Sequence, residues 1–133
     1  MALTPPAQLR ISLTAPESAR LGSTVPVIIQ VQNTGDAAIE LYLRGREIAY
    51  DVLFKDATGE TVWRRLEGEV IPGVIQLRVL VPGEVLELSH KWNQRTNRGE
   101  LVRPGVYTVE GTVLTDGPNP LAPTSQQIVI GPG

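Results

Sequence analysis

Cysteine is missing from this chain of 133 residues, which excludes disulfides, thiolate nucleophiles and cysteine-ligated zinc. The compartment therefore cannot be read from redox chemistry. Histidine occurs once, as His90, and aromatic residues make up 5% of the chain, so few large side chains exist to fill a core. Trp63 and Trp92 are accordingly expected inside, with Tyr50 and Phe54, which share a strand face, beside them. No apolar run approaches the roughly 18 residues that suggest a membrane-spanning helix. Neither charge sign dominates: 12 basic and 14 acidic side chains give a net charge of −2, which argues against a nucleic-acid or anionic-membrane surface. Internal repeats and low-complexity tracts are also lacking. The first residues, MALTPPAQLRISLTAPES, have neither the basic nor the apolar region of a secretory signal. A cytoplasmic location is expected if Met1 is the natural start, and export if an upstream signal has been removed.

What is present points to strands. The 13 Gly and 11 Pro are spread along the chain, with Val, Ile and Thr dominating the segments between them, a pattern that helices tolerate poorly. A chain of this length can bury about two-thirds of its surface around one core, so residues 1–133 are expected to form a single domain. Alternation predicts a first strand over Gln8 to Thr14, at an edge, ended by a turn at Ala15-Pro16-Glu17-Ser18. Val25 to Asn33 follows, with Val25, Val27, Ile29 and Val31 on one face and a turn at Asn33-Thr34-Gly35-Asp36. Ile39, Leu41 and Leu43 form a third run. After Gly45 comes a fourth, with Ile48, Tyr50, Val52 and Phe54 on one face. Asp56-Ala57-Thr58-Gly59 is a hairpin signal, and Thr61 to Arg65 returns antiparallel from it. The pattern fails from Glu67 to Gly73 and resumes with Ile75, Leu77, Val79 and Val81 facing the core. Val81-Pro82-Gly83-Glu84 is another tight turn.

The stretch from Trp92 to Thr112 carries most information. Before it, Leu86, Leu88, His90 and Trp92 share a face; within and after it, Tyr107, Val109, Gly111 and Val113 do. Two half-buried strands are expected to meet across the polar loop between them. A last strand covers Ser125 to Ile130, after a loop at Asp116-Gly117-Pro118-Asn119-Pro120 that cannot be strand. About eight to nine short strands with regular turn signals are the signature of an all-β, immunoglobulin-like antiparallel β-sandwich. A closed barrel is the alternative, disfavoured by the uneven polar loops. Tyr107, just after Pro104-Gly105, fits the corner in which a Tyr hydroxyl bonds back to the upstream backbone.

Catalytic chemistry finds little support. General-base work needs a partner within hydrogen-bond reach, and His90 lies among Leu86, Leu88 and Trp92, with Ser89 on the opposite face. Glu67 with Glu69, and Glu84 with Glu87, are carboxylate pairs with nothing around them to build a cleft or to raise one pKa. The loops at Asn33 to Asp36 and Asp116 to Asn119 offer oxygen ligands but not a calcium-loop spacing, and Asx turns explain both. No Gly-rich phosphate loop follows a strand and opens a helix. The expectation is a protein that is not an enzyme and needs no cofactor or metal.

The run YDVLFKDATGETVW from Tyr50 to Trp63 is followed by Val81-Pro82-Gly83-Glu84, Trp92-Asn93-Gln94, Gly99 and Pro104-Gly105-Val106-Tyr107-Thr108-Val109. This ordered set resembles the intracellular proteinase inhibitor family of the BsuPI type, over about Ile48 to Val113. The residues that carry the resemblance are Tyr50, Asp51, Gly59, Trp63, Pro82, Gly83, Trp92, Asn93, Gln94, Gly99, Pro104, Gly105 and Tyr107. Asn93 stands where the family usually has Asp, and Arg65 where an aromatic often follows. The segment through Thr14 and the tail after Leu114 lie outside the matched part.

The resemblance implies a protein partner, expected to be a serine protease, whose active site is blocked by a loop entering in extended form. The contact candidates are Arg95, Arg98, Leu101, Val102 and Arg103 in one loop and Glu67, Glu69 and Ile71 in another. The alternative is a non-enzymatic immunoglobulin-like interaction or adhesion module from a larger or exported protein, with which the Pro-rich ends are compatible.

Overall fold

The computed structural model describes residues 9–44, 49–68, 74–115 and 124–132, and within them the chain forms ten strands and no helix. They are β1 (Leu9–Thr14), β2 (Ser18–Arg20), β3 (Val25–Asn33), β4 (Ile39–Arg44), β5 (Tyr50–Lys55), β6 (Thr61–Arg64), β7 (Ile75–Leu80), β8 (Val85–Trp92), β9 (Gly105–Val113) and β10 (Thr124–Gly131). Two layers result. One is a three-stranded sheet in the order β1-β3-β8, the other a five-stranded sheet in the order β2-β10-β9-β5-β6. The pair β4–β7 is tied to both layers. Leu43 bridges to Thr115 beyond β9 and the Arg44 N–H donates to Leu114, while the Asn33 side chain at the end of β3 donates to Leu80.

Alternation explains why the layers close on each other. Val25, Val27, Ile29 and Val31 of β3 and Tyr107, Val109 and Val113 of β9 are all buried, while their alternate neighbours are less covered. Phe54 of β5 stacks on Trp92 of β8 with ring centroids 3.8 Å apart, so the most closely stacked aromatic pair bridges the two layers. Such a pair adds about 0.5–1.5 kcal/mol beyond its area burial. At Gly111 the layers pack tightly: a β-carbon there would lie 2.8 Å from Ile29 Cδ1 and 2.9 Å from Leu13 Cδ1. The strand has a glycine where the opposite sheet leaves no room.

Four features differ from the sequence expectations. The segment read as a turn after Thr14 leads into β2, which pairs parallel with β10, so the sandwich is not antiparallel throughout. Pro16 breaks the ladder of β1 and the chain crosses to the other sheet, held there by the Gln126 side chain. Its Nε2 donates to the Ala15 carbonyl and its Oε1 accepts from the Ala15 N–H. A strand of three residues is too short to show a period. Second, β8 and β9 do not pair across their loop. They belong to opposite layers and meet through side chains, Trp92 and Tyr107 packing edge-on at 6.3 Å.

Third, β7 shows the expected alternation with its faces reversed. Ile75, Leu77, Val79 and Val81 are exposed, and Leu80 is buried. Leu80 sits beside Ile39 of β4 and accepts a hydrogen bond from Asn33, and this one inward residue sets the parity of the strand. Fourth, Trp63 is only partly buried. It packs against the core and stacks on His90 at 5.1 Å, whereas Trp92, Phe54 and Tyr50 are inside. Gly45, Ile48, Glu69, Val70, Ile71 and the loop from Asp116 to Pro120 lie outside the described residues.

Candidate functional site at the loop end

The loop between β8 and β9 is a small hairpin braced along its length. Arg95 and Leu101 form a β-bridge, the Thr96 N–H donates to Glu100 at 2.7 Å, and the Gly99 N–H donates to Thr96 at 2.9 Å. Thr96, Asn97, Arg98 and Gly99 therefore form a tight turn. Gly99 has φ +87°, a conformation that side chains with a β-carbon avoid. The Thr96 hydroxyl oxygen accepts from the Arg98 and Glu100 N–H groups, and the Arg95 guanidinium closes the turn by donating to the Gly99 carbonyl at 2.9 Å.

Asn97 fastens this hairpin to the edge of β6. Its Oδ1 accepts from the Arg64 N–H at 2.8 Å and its Nδ2 donates to the Arg64 carbonyl at 3.0 Å, so one side-chain amide takes the place of a paired strand. Arg64 in turn bonds the buried Asp51 of β5 through its Nε at 2.5 Å, and the carboxylate raises the pKa of the guanidinium. Asp51 also accepts from the Leu66 N–H, fixing the start of the loop after β6.

At the root of the hairpin the Asn93 side chain accepts from the Arg95 N–H, an Asx turn that an Asp side chain can make as well. The Trp92 indole N–H donates to the Arg95 carbonyl. Gln94 is fully buried at φ +62°. Its Nε2 donates to the carbonyls of Arg20 and Ser23, and its Oε1 accepts from the Gly22 N–H. Its own carbonyl accepts from the Val102 N–H. At the far end the Tyr107 hydroxyl donates to the Arg103 carbonyl at 2.5 Å, the expected corner, and burial is the main cause of the raised tyrosine pKa.

The contact candidates thus fall into separate groups. Arg98 is exposed at the apex, and its guanidinium has no partner among the described residues; Leu101 and Arg103 are exposed on the descending arm. Arg95 is exposed but occupied as a brace. Val102 is buried and belongs to the core, which corrects its place among the contact residues. Glu67 is exposed where its N–H closes a turn onto Arg64, and it lines one open cleft with Thr96, Asn97 and Arg98 of the apex; Glu69 and Ile71 are outside the described residues.

Beside the hairpin lies the β5–β6 turn, where Gly59 (φ +88°) closes onto Asp56. The Thr58 hydroxyl, followed by backbone N–H groups, holds the Asp56 carboxyl below the usual carboxylate range. Together these turns border an open cleft of about 400 Å³ lined by Asp56, Val62, Thr96, Leu101, Arg103 and Val106.

Other motif residues make contacts within the sandwich. The Tyr50 hydroxyl donates to Ser89 of β8, and the Arg65 guanidinium lies 3.8 Å over the Tyr50 ring while donating to the Tyr50 carbonyl. The stacking that an aromatic could provide at position 65 is thus provided by a cation. Pro82 and Gly83 form the β7–β8 turn, with the Gly83 N–H donating to Asn33. Asn33 is fully buried, and its side chain donates to Ala37 and Leu80 and accepts from Gly35 in an Asx turn. Among the described residues no three His, Asp or Glu gather where they could hold a metal ion, and no helix is long and apolar enough to cross a membrane.

One residue escaped the sequence reading, and the anchoring role of a second was not legible in it. Asn97 gave no signal beyond being polar. Gln94 was visible as part of Trp92-Asn93-Gln94, but its partners lie more than seventy residues away in the chain.

Fold and site together define an immunoglobulin-like β-sandwich that presents a braced, Arg-tipped hairpin at one end. Residues 12–117 match the family model for BsuPI, the intracellular proteinase inhibitors, and the chain belongs to that family. The match takes in the second half of β1 and runs past Leu114, beyond the stretch legible from motifs alone.

No curated protein matches the chain. Among solved structures, a β-glucosidase from Listeria innocua is similar at a TM-score of 0.51 and 15% identity, over 94% of this chain and 16% of that one. The β-glucosidase EmGH1 from Erythrobacter marinus gives 0.51 and 20%, over 92% of this chain and 15% of that one. The chain spans about a sixth of the length of these enzymes, and at such identity the likeness is one of fold.

Proposed function

We propose that residues 1–133 act as a single non-catalytic domain that binds a serine protease and blocks its active site with the hairpin from Asn93 to Arg103. The observation that supports this reading is the bracing of that loop. It is held by Gln94 at the root, Arg95 and Thr96 across the turn, Asn97 on β6 and Tyr107 at the exit. A loop ordered before binding loses little conformational entropy on association, and the side chain at its tip without a partner among the described residues is Arg98, suited to an acidic specificity pocket.

The turn changes the expected manner of blocking. Proteases bind substrate strands extended, whereas residues 96–99 are folded back on themselves. The hairpin therefore obstructs the cleft as a wedge, with Leu101 and Arg103 as flanking contacts, and is not presented for cleavage. Inhibition assays against trypsin-like and subtilisin-like proteases test this. Inhibition of the trypsin-like enzyme at micromolar protein, weakened at least tenfold by Arg98→Ala, is the expected result. Failure to inhibit any serine protease, or indifference to the simultaneous replacement of Arg98, Leu101 and Arg103 by alanine, overturns it.

A further inference from the structure

We infer that the free edge of β7 is a self-association surface, through which two copies of this chain pair antiparallel about Leu77. The surface is apolar where a sheet normally faces water. Ile75, Leu77, Val79 and Val81 keep 41%, 52%, 44% and 53% of their surface exposed, and Val74 keeps 47%. Scattered exposed aliphatics need no explanation, but five within eight consecutive residues of one strand and its flanks form a patch of the kind that marks an interface.

The edge beside this patch is open. β4 takes one side of β7, and among the described residues no strand takes the other. Edge strands are normally guarded by lysine, proline or a bulge. β7 has none of these over Ile75–Leu80. Its single charge, Arg78, lies on the opposite face, where its guanidinium is 3.3 Å from the Glu84 carboxylate.

The sequence of the strand selects a second copy as the occupant. Read outward from Leu77 in both directions, apolar and polar positions mirror each other: Gln76 and Arg78, then Ile75 and Val79. An antiparallel copy centred on Leu77 thus sets Leu77 against the partner's Leu77 and Ile75 against the partner's Val79, keeping apolar residues with apolar across the new ladder. The same register sets Gln76 against the partner's Arg78. Among the described residues the buried Gln76 side-chain oxygen has no hydrogen-bond partner, and the partner's Arg78 guanidinium, which contacts Glu84 through one nitrogen only, has N–H groups to supply the missing donor. A foreign strand meets these requirements only by chance, whereas a copy of β7 meets all of them by symmetry.

The absence of cysteine makes the test clean. Sedimentation velocity across roughly 1–100 µM is expected to show a monomer–dimer equilibrium, abolished by Leu77→Lys with unchanged circular dichroism and urea midpoint, because the side chain is exposed. Leu77→Cys is expected to form a disulfide-linked dimer under mild oxidation, since residues directly opposed on antiparallel strands have Cα atoms within disulfide range. Val85→Cys, at a comparably exposed site on β8, is expected to remain monomeric. A wild-type chain that stays monomeric throughout, a dimer that survives Leu77→Lys, or equal cross-linking at positions 77 and 85 overturns the inference. Protease inhibition enters none of these readings.

Discussion

Replacing Gln94 by alanine should loosen the root of the hairpin and cost about 3 kcal/mol of stability. The side chain is fully buried and makes hydrogen bonds of 2.8 Å to Arg20, 2.9 Å to Ser23 and 3.1 Å from Gly22. A typical buried hydrogen bond contributes about 1 kcal/mol net, and removing the amide also strands the Ser23 carbonyl and the Gly22 N–H, whereas the Arg20 carbonyl still accepts from the Ser23 N–H and hydroxyl. Backbone strain does not enter this comparison, because alanine and glutamine both carry a β-carbon at φ +62°. It does enter for glycine. Gln94→Gly loses the same bonds but relieves about 1 kcal/mol of left-handed strain, so it should be the more stable of the two variants. Urea unfolding gives both values. Hydrogen exchange should show lost protection at Gly22 and at Val102, whose N–H donates to the Gln94 carbonyl. A Gln94→Ala protein within about 0.5 kcal/mol of wild type, or a glycine variant no better than the alanine one, would falsify the claim that this amide holds the loop to the sandwich.

Burial, with the Arg65 charge as a second cause, holds the His90 pKa below its ordinary 6.5. The unfolded chain then binds more protons than the folded one below that value, so stability should fall as pH drops from 6.5 toward the folded pKa and stay level above 6.5. His90→Gln should flatten the urea midpoint between pH 5 and pH 7.5, and an unaltered profile would show that another group is responsible. Where the sheets pack tightly, Gly111→Ala should destabilise by about 1–2 kcal/mol, since overpacking outweighs the strand's gain from losing a glycine. Leu13→Ala should absorb part of that cost, because Leu13 Cδ1 lies 2.9 Å from the added methyl. A double-mutant cycle with no coupling would refute the contact.

The layers of this protein were legible because alternation is a local property. Where apolar residues recur at alternate positions along most of β3, β8 and β9, a strand with one buried face follows whatever it packs against. Turn chemistry was equally local at Asp56 to Gly59, at Val81 to Glu84 and at Pro104-Gly105, and Tyr107 needed only a carbonyl four residues upstream. The same reasoning failed at β2, where three residues cannot display a period, and it placed Val102 among the contacts because a loop residue has no pattern to say that it is buried.

The positions of the longer strands, the spacing of apolar residues and the family motifs were thus determined by the sequence alone, since each depends on neighbours within a few residues. Which face of a strand lies inside was decided by tertiary structure. In β7 the alternation was plain, but Leu80, carried into the core beside β4 and Asn33, turned Ile75, Leu77 and Val79 outward. The candidate site belongs to the same category. A long polar loop rich in Arg was evident, but partners remote in the chain made it a rigid hairpin with Arg98 at its tip: Gln94 on the β2–β3 turn and Asn97 on β6. Side-chain amides carry no periodic signal, and only the folded backbone brings their donors and acceptors within reach.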